Sequence, residues 1–379
     1  MAIVINGSGT LTGLAVGGLP DGTVDSDTLA SGTVPILQTA TSNIGIGTNA
    51  TSAITTGDDN IGFGYRAVST TNSGIENIGI GSDALRLNTT GNYNTAVGKN
   101  ALTANTTANG NTAIGRWALA ANTTGYSNIA VGQDTLATNS EGYHNVAVGN
   151  SALGQNTTAD YNVAVGSSAL QANTTGADNT AVGALSLDAN TTGGQNVAVG
   201  VNALGVNSTA SYNTALGFAA LTDNTTGAEN VGVGYLALGD NTTASGNTSI
   251  GYNSLRVNTT GATNTAMGGR ALEANTTAAD NTAVGWGALR YNTTGPGNTA
   301  IGMEALVDNT TAEYNVAVGR QALQNNTTGD TNVAVGANAM DVNTTGSNNV
   351  AMGKDALRLN TTASGNTAIG KDSLRSNTD

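Results

Sequence analysis

One histidine, His144, and no cysteine occur in 379 residues. The absence of Cys rules out disulfides, Fe–S ligation and thiolate chemistry. His144 follows the turn Asn139-Ser-Glu-Gly142, so Ser140, Glu141 and His144 are the one set of residue types that suggests a nucleophile and a base. They sit on an exposed turn that implies no pocket, whereas an active site needs groups converging on one. No catalytic residue is assigned, and the chain is expected not to be an enzyme. Acidic residues recur at no fixed interval and the Ca²⁺-binding nonapeptide repeat is absent, so neither metal nor cofactor is expected.

The aromatic residues carry more information. Phe218, Tyr235, Tyr252, Gly269, Trp286 and Met303 follow one another at intervals of 17. If residues at this interval stack, the result is a stripe of flat rings suited to the apolar faces of sugars, with Arg256 and Arg290 as polar rim contacts. A second group gathers Tyr93, Tyr126, Tyr143 and Tyr161 around His144. Packing of rings along a ladder accounts for the same spacings and weighs above glycan contact.

The interval of 17 belongs to the whole chain. Asn recurs at this interval from Asn43 to Asn366, without insertion or deletion, which makes twenty copies of N-[TVI]-A-[VI]-G-x-x-A-L-x-x-N-T-T-[GA]-x-x. Such a period must be sought before any local element. Column 1 is always Asn and column 5 always Gly; column 2 is Thr, Val or Ile; column 3 is Ala, Gly or Ser; column 4 is large and apolar. Column 9 is Leu from Leu85 onward except Met340, and column 12 is Asn from Asn88 onward. Columns 6, 7, 10, 11, 16 and 17 vary and hold nearly all the charge.

Columns 2 to 4 alternate with period 2 and read as a strand, with columns 2 and 4 on one face and column 3 on the other. Gly at column 5 ends it where φ is positive or another backbone comes close. The x-x-A-L-x-x-N segment is too short for an independent helix and reads as either a second strand or one helical turn. N-T-T-G is a turn. One strand per repeat gives an all-β parallel solenoid, or β-roll, of twenty coils, about 95 Å long at ~4.8 Å per strand. Asn amides stacked along the axis can bond donor to acceptor, so Asn94, Gly98, Asn105, Asn179, Gly183 and Asn190 are structural ladder residues, with column 1 more ladder-like and column 12 more turn-like.

The restriction of column 3 to small residues suggests crowding on both strand faces. So short a coil holds too few large side chains to cover both. Several chains around a common axis, with column 3 or columns 2 and 4 facing it, would satisfy this, so a homo-oligomer is expected. The competing arrangement is a monomeric solenoid in which Ala faces the chain's own second wall.

The motif in Asn94-Thr-Ala-Val-Gly98 with Ala101-Leu102 resembles the head repeats of YadA-like trimeric autotransporter adhesins. Its longer form with N-T-T-G is also similar to repeats of phage tail fibre proteins. The resemblance covers about nine-tenths of the chain and implies a homotrimeric β-roll fibre. The chain departs from the adhesins in its longer, more regular period, and no signal peptide, coiled-coil stalk or membrane anchor is expected from its sequence.

Residues 1–42 lack Lys and Arg and contain Pro20 and Pro35. The stretch Gly13-Leu-Ala-Val-Gly-Gly-Leu-Pro-Asp-Gly-Thr-Val-Asp25 resembles N-terminal linkers of phage tail fibres. These residues are expected to cap the solenoid and attach it to virion tail or baseplate proteins, and residues 43–379 to form the shaft. The net charge of −13 disfavours nucleic acid and anionic membranes, and no apolar run long enough to span a bilayer exists. No basic flank precedes the apolar start, so no secretory signal is expected. The resulting expectation is a virion or extracellular tail fibre for host attachment, with a host-surface glycan as a partner. A bacterial surface adhesin is the alternative, and an ice-binding solenoid, prompted by Thr at columns 2, 13 and 14, is third.

Overall fold

The computed structural model describes residues 42–377 and, before them, three short strands: β1 (Val4–Ile5), β2 (Leu11–Thr12) and β3 (Ile36–Gln38). From β4 (Ile44–Ile46) to β23 (Thr367–Ile369), twenty three-residue strands occur, each at columns 2 to 4 of its repeat. Each pairs in parallel with its copy in the next repeat, in unshifted register: Val163 meets Thr180, Ala164 meets Ala181 and Val165 meets Val182. The chain is therefore an all-β parallel solenoid. At ~4.8 Å per strand the ladder is roughly 90 Å long. β1 and β2 pair antiparallel. β3 pairs antiparallel with β4 and occupies its outer edge, the edge a solenoid must cover at its first coil. The rest of the expected attachment segment lies outside the described residues.

Hydrogen bonds from coil to coil continue around the turns. Leu170 N–H donates to Ser186 O at 3.0 Å, Ala172 N–H to Asp188 O at 3.0 Å, and Thr174 N–H to Thr191 O at 2.9 Å. Thr174 Oγ1 donates to the same Thr191 carbonyl at 3.0 Å. One inserted residue would break this register around the whole coil, which explains a period kept without insertion. The x-x-A-L-x-x-N segment is neither strand nor helix. It is a bent run in which columns 7 and 9 adopt left-handed φ, as Leu185 (55°) and Leu187 (52°) do. Column 17 is left-handed as well, as at Gln195 (60°). Such φ values cost non-glycine residues roughly 1–2 kcal/mol each, and they let so short a coil close on itself.

The interior is thin. Column 3 Ala, column 8 Ala and column 9 Leu are buried along the shaft up to the last coil, where Leu374 is half exposed; Ala181, Ala203 and Leu204 are at 0% exposure. One Leu per coil fills the space between the strand and the opposite wall. The small size of column 3 thus answers to packing within the chain, and that column is not available to line an axis between chains. Columns 2 and 4 point outward. Ile114, Ile129, Leu216 and Met267 are between 40% and 47% exposed.

Candidate functional site

Column 5 glycine follows each strand, with φ near +137° at Gly183. A Cβ there would lie 2.5 Å from the Gly200 carbonyl oxygen and 2.6 Å from its carbon, so successive coils approach too closely for any side chain. Gly98 stands in the same relation to Gly115.

The buried Asn columns form two amide ladders. Asn196 N–H and Nδ2 both donate to Asn179 Oδ1, at 3.0 and 3.1 Å. Asn190 Nδ2 donates to Asn173 Oδ1 at 2.8 Å. Asn94 Nδ2 donates to Asn77 Oδ1 at 3.1 Å, and Asn105 Nδ2 to Asn88 Oδ1 at 2.9 Å. Column 12 amides also close their own turn: Asn105 Nδ2 reaches the Ala108 carbonyl at 3.1 Å.

The aromatic stripe at column 6 is partly continuous. Phe218 stacks on Tyr235 at 5.4 Å and Tyr235 on Tyr252 at 5.5 Å, with ring planes within 15°. All three are about half exposed. Gly269 then interrupts the rings, and a Cβ there would lie 3.3 Å from Trp286 Cδ1, so Trp286 leans back over the gap. The ring faces thus pack along the ladder, and their neighbours at column 7, Ala219, Leu236 and Asn253, bring no charged group to them. Of the two arginines, Arg290 is occupied elsewhere. Arg290 Nε bonds Glu273 Oε2 at 2.8 Å and its guanidinium lies 4.9 Å over the Tyr291 ring. Arg256 Nε is buried without a hydrogen-bond partner. Burial holds the nearby Asp240 carboxyl above its usual range, and the Arg256 charge opposes that shift.

The second aromatic group is closer-knit than its spacing suggests. Tyr126 stacks on Tyr143 at 4.8 Å with planes 3° apart, and His144 stacks on Tyr161 at 5.2 Å. The two stacks meet nearly at right angles: Tyr126 to His144, Tyr143 to His144 and Tyr143 to Tyr161 are edge contacts of 5.2 to 5.4 Å. Asp160 Oδ1 accepts the Tyr143 N–H at 2.8 Å, and the Asp160 carboxylate raises the Tyr143 phenol above its ordinary range. Tyr93, two coils away, makes no ring contact with the group. Alternation between columns 16 and 17 carried the signal for this cluster, but the pairing of neighbouring columns becomes visible only when the coils are stacked.

Ser140 and His144 do not form a nucleophile–base pair. Ser140 Oγ donates to the Thr157 carbonyl at 3.2 Å, and the His144 ring packs on tyrosines. Among the described residues no cluster of three or more metal-ligating side chains occurs, and no helix is long and apolar enough to cross a membrane. No protein-family model matches the chain, and no curated protein matches it.

Proposed function

We propose that the chain is the self-associating shaft of a fibre, a homotrimeric rod of a phage tail that carries host-surface contacts away from the particle. The observation that carries this reading is the outward rank of Val, Ile, Leu, Met and Phe at column 4, repeated from β4 to β23, beside Val, Ile or Thr at column 2. A strip roughly 90 Å long and ~10 Å wide presents on the order of 900 Å². That matches the ~800 Å² per partner of a stable interface. A second and a third copy of the same chain supply a face of identical repeat, so each coil meets an equivalent coil.

Sedimentation of the purified chain tests this reading. A mass near three times 37.3 kDa supports it, a dimer keeps the interface but rejects the threefold arrangement, and a monomer at micromolar concentration rejects both. Electron micrographs of virions should then show the rod at the tail. Labelling of intact bacterial cells separates the surface-adhesin alternative. At column 13, Thr hydroxyls such as Thr191 Oγ1 donate to the next coil, here to Ser208 O at 3.0 Å, so the ice-binding alternative rests on Thr at columns 2 and 14, and thermal hysteresis tests it.

A further inference from the structure

We propose that Tyr126, Tyr143, His144 and Tyr161 form a binding platform for neutral pyranose saccharides on the side of the rod. This names the ligand class for the host-surface contact of the shaft and rests on that reading.

The repeats of one chain act as their own controls. From Thr90 to Thr362, column 14 is Thr in every coil except at Glu141. Column 16 is aromatic only at Tyr126 and Tyr143, and column 17 holds His only at His144. Tyr161 shares its column with Tyr93, Tyr212 and Tyr314. Coil-to-coil packing is satisfied elsewhere without Tyr at column 16 or His at column 17, so the fold does not require Tyr126, Tyr143 or His144. They coincide within one turn and its two neighbours, as expected of a site grafted on a scaffold.

The geometry suits a sugar. The two ring stacks meet nearly at a right angle, and each leaves its end ring, Tyr126 or Tyr161, with one face on which no other ring stacks; these two remain 43% and 52% exposed. Sugar rings lay apolar C–H faces on aromatic faces while their hydroxyls need hydrogen-bond partners at the rim. Here the rim holds the exposed Glu141 carboxylate, the Asp160 carboxylate and the phenol hydroxyls. The column 6 stripe has the phenol hydroxyls of Tyr235 and Tyr252 but no carboxylate at columns 6 and 7 of those coils.

Charge narrows the class. No Lys or Arg occurs between Arg116 and Arg256, whereas Asp134, Glu141, Asp160, Asp178 and Asp188 all do. An acid-only stretch repels sialic and uronic acids and leaves neutral sugars favoured. The cluster lies at columns 16 and 17, off the outward strand face at columns 2 and 4, so the platform and the proposed interface use different columns.

A printed array of neutral and anionic oligosaccharides tests the proposal with the full-length chain. Neutral glycans should be retained. The double variant Tyr126→Ala/Tyr161→Ala should lose at least ~10-fold in apparent affinity, Tyr161→Trp should keep binding, and Tyr235→Ala should leave it unchanged. Three results overturn the proposal: no retention of neutral glycans by the parent chain, retention of anionic glycans alone, or a double variant that binds as the parent does. Sedimentation of the same samples separates the two readings. Glycan binding by a monomeric parent would leave the platform standing and reject the shaft. A double variant that dissociates into smaller species would make the cluster an interchain contact and overturn the platform.

Discussion

Asn179 and Asn190 donate to the same acceptor: each amide nitrogen lies 2.9 Å from the Gly193 carbonyl oxygen. The two Asn columns thereby clamp one turn from both sides while each continues its own ladder to neighbouring coils. A buried carbonyl has two lone pairs, and both are used. This joint makes the turn after column 12 a fixed part of every coil.

Removing one arm of the clamp should be costly. Asn179→Ala leaves the Asn196 backbone N–H without its acceptor in a site shut off from water. The expected loss is about 1–3 kcal/mol per orphaned group. Because unfolding of a repeat array need not be two-state, the check is hydrogen exchange. Protection of the Asn196 amide should fall while amides several coils away keep theirs.

Gly183→Ala should be worse than a typical glycine substitution. Its φ lies in a region closed to L side chains, and the new methyl would overlap the Gly200 carbonyl. A loss of at least ~3 kcal/mol follows from strain and overlap together. A lowered melting temperature on calorimetry, with no stable shift toward a neighbouring register, is the outcome to look for.

Inward and outward positions of one strand should respond oppositely. Ala181→Leu overfills the interior and should destabilise each chain by about 1–3 kcal/mol. The double variant Val148→Lys/Val165→Lys, at column 4 of β10 (Val146–Val148) and β11 (Val163–Val165), should leave the coil folded but reduce the sedimenting mass. Circular dichroism and sedimentation on both variants separate the two effects.

Burial raises the Asp188 carboxyl above its usual range, an effect opposed by hydrogen bonds from its own backbone and that of Ala189. The folded chain therefore holds this proton more tightly than the unfolded chain does. Its favourable contribution is complete below the unfolded carboxyl value and fades as pH rises through the folded one. Asp188→Asn should accordingly raise stability at pH 7 and change little at pH 3, as read from denaturation midpoints at the two pH values.

Column 17 offers a route to a more stable shaft. Thr263 is β-branched at a φ of 57°, while Asn348 occupies the same column at 58°. Asn tolerates left-handed φ better than Thr and can still offer an amide to Asp280, the partner of Thr263 Oγ1. Thr263→Asn should gain roughly 0.5–1 kcal/mol, seen as a higher melting temperature.

The repeat period, the place of the strand in it and the need for glycine at column 5 were all legible in the residues from Asn43 onward. Copies within one chain expose what each position tolerates, and period-2 alternation marks three residues as a strand. That alternation also places Thr180 and Val182 on one face and Ala181 on the other. It does not say which face is inside. Large apolar residues ordinarily go in, but so short a coil has room for a single Leu, so Leu187 fills the interior and Ala181 lies against it while Val182 faces out. The left-handed φ of Leu187 was likewise hidden, because nothing in a Leu side chain announces positive φ. Only the stacking of coils decided that the residues best suited to a core form the outer face, and that Tyr126, Tyr143, His144 and Tyr161, drawn from three successive repeats, meet as one cluster.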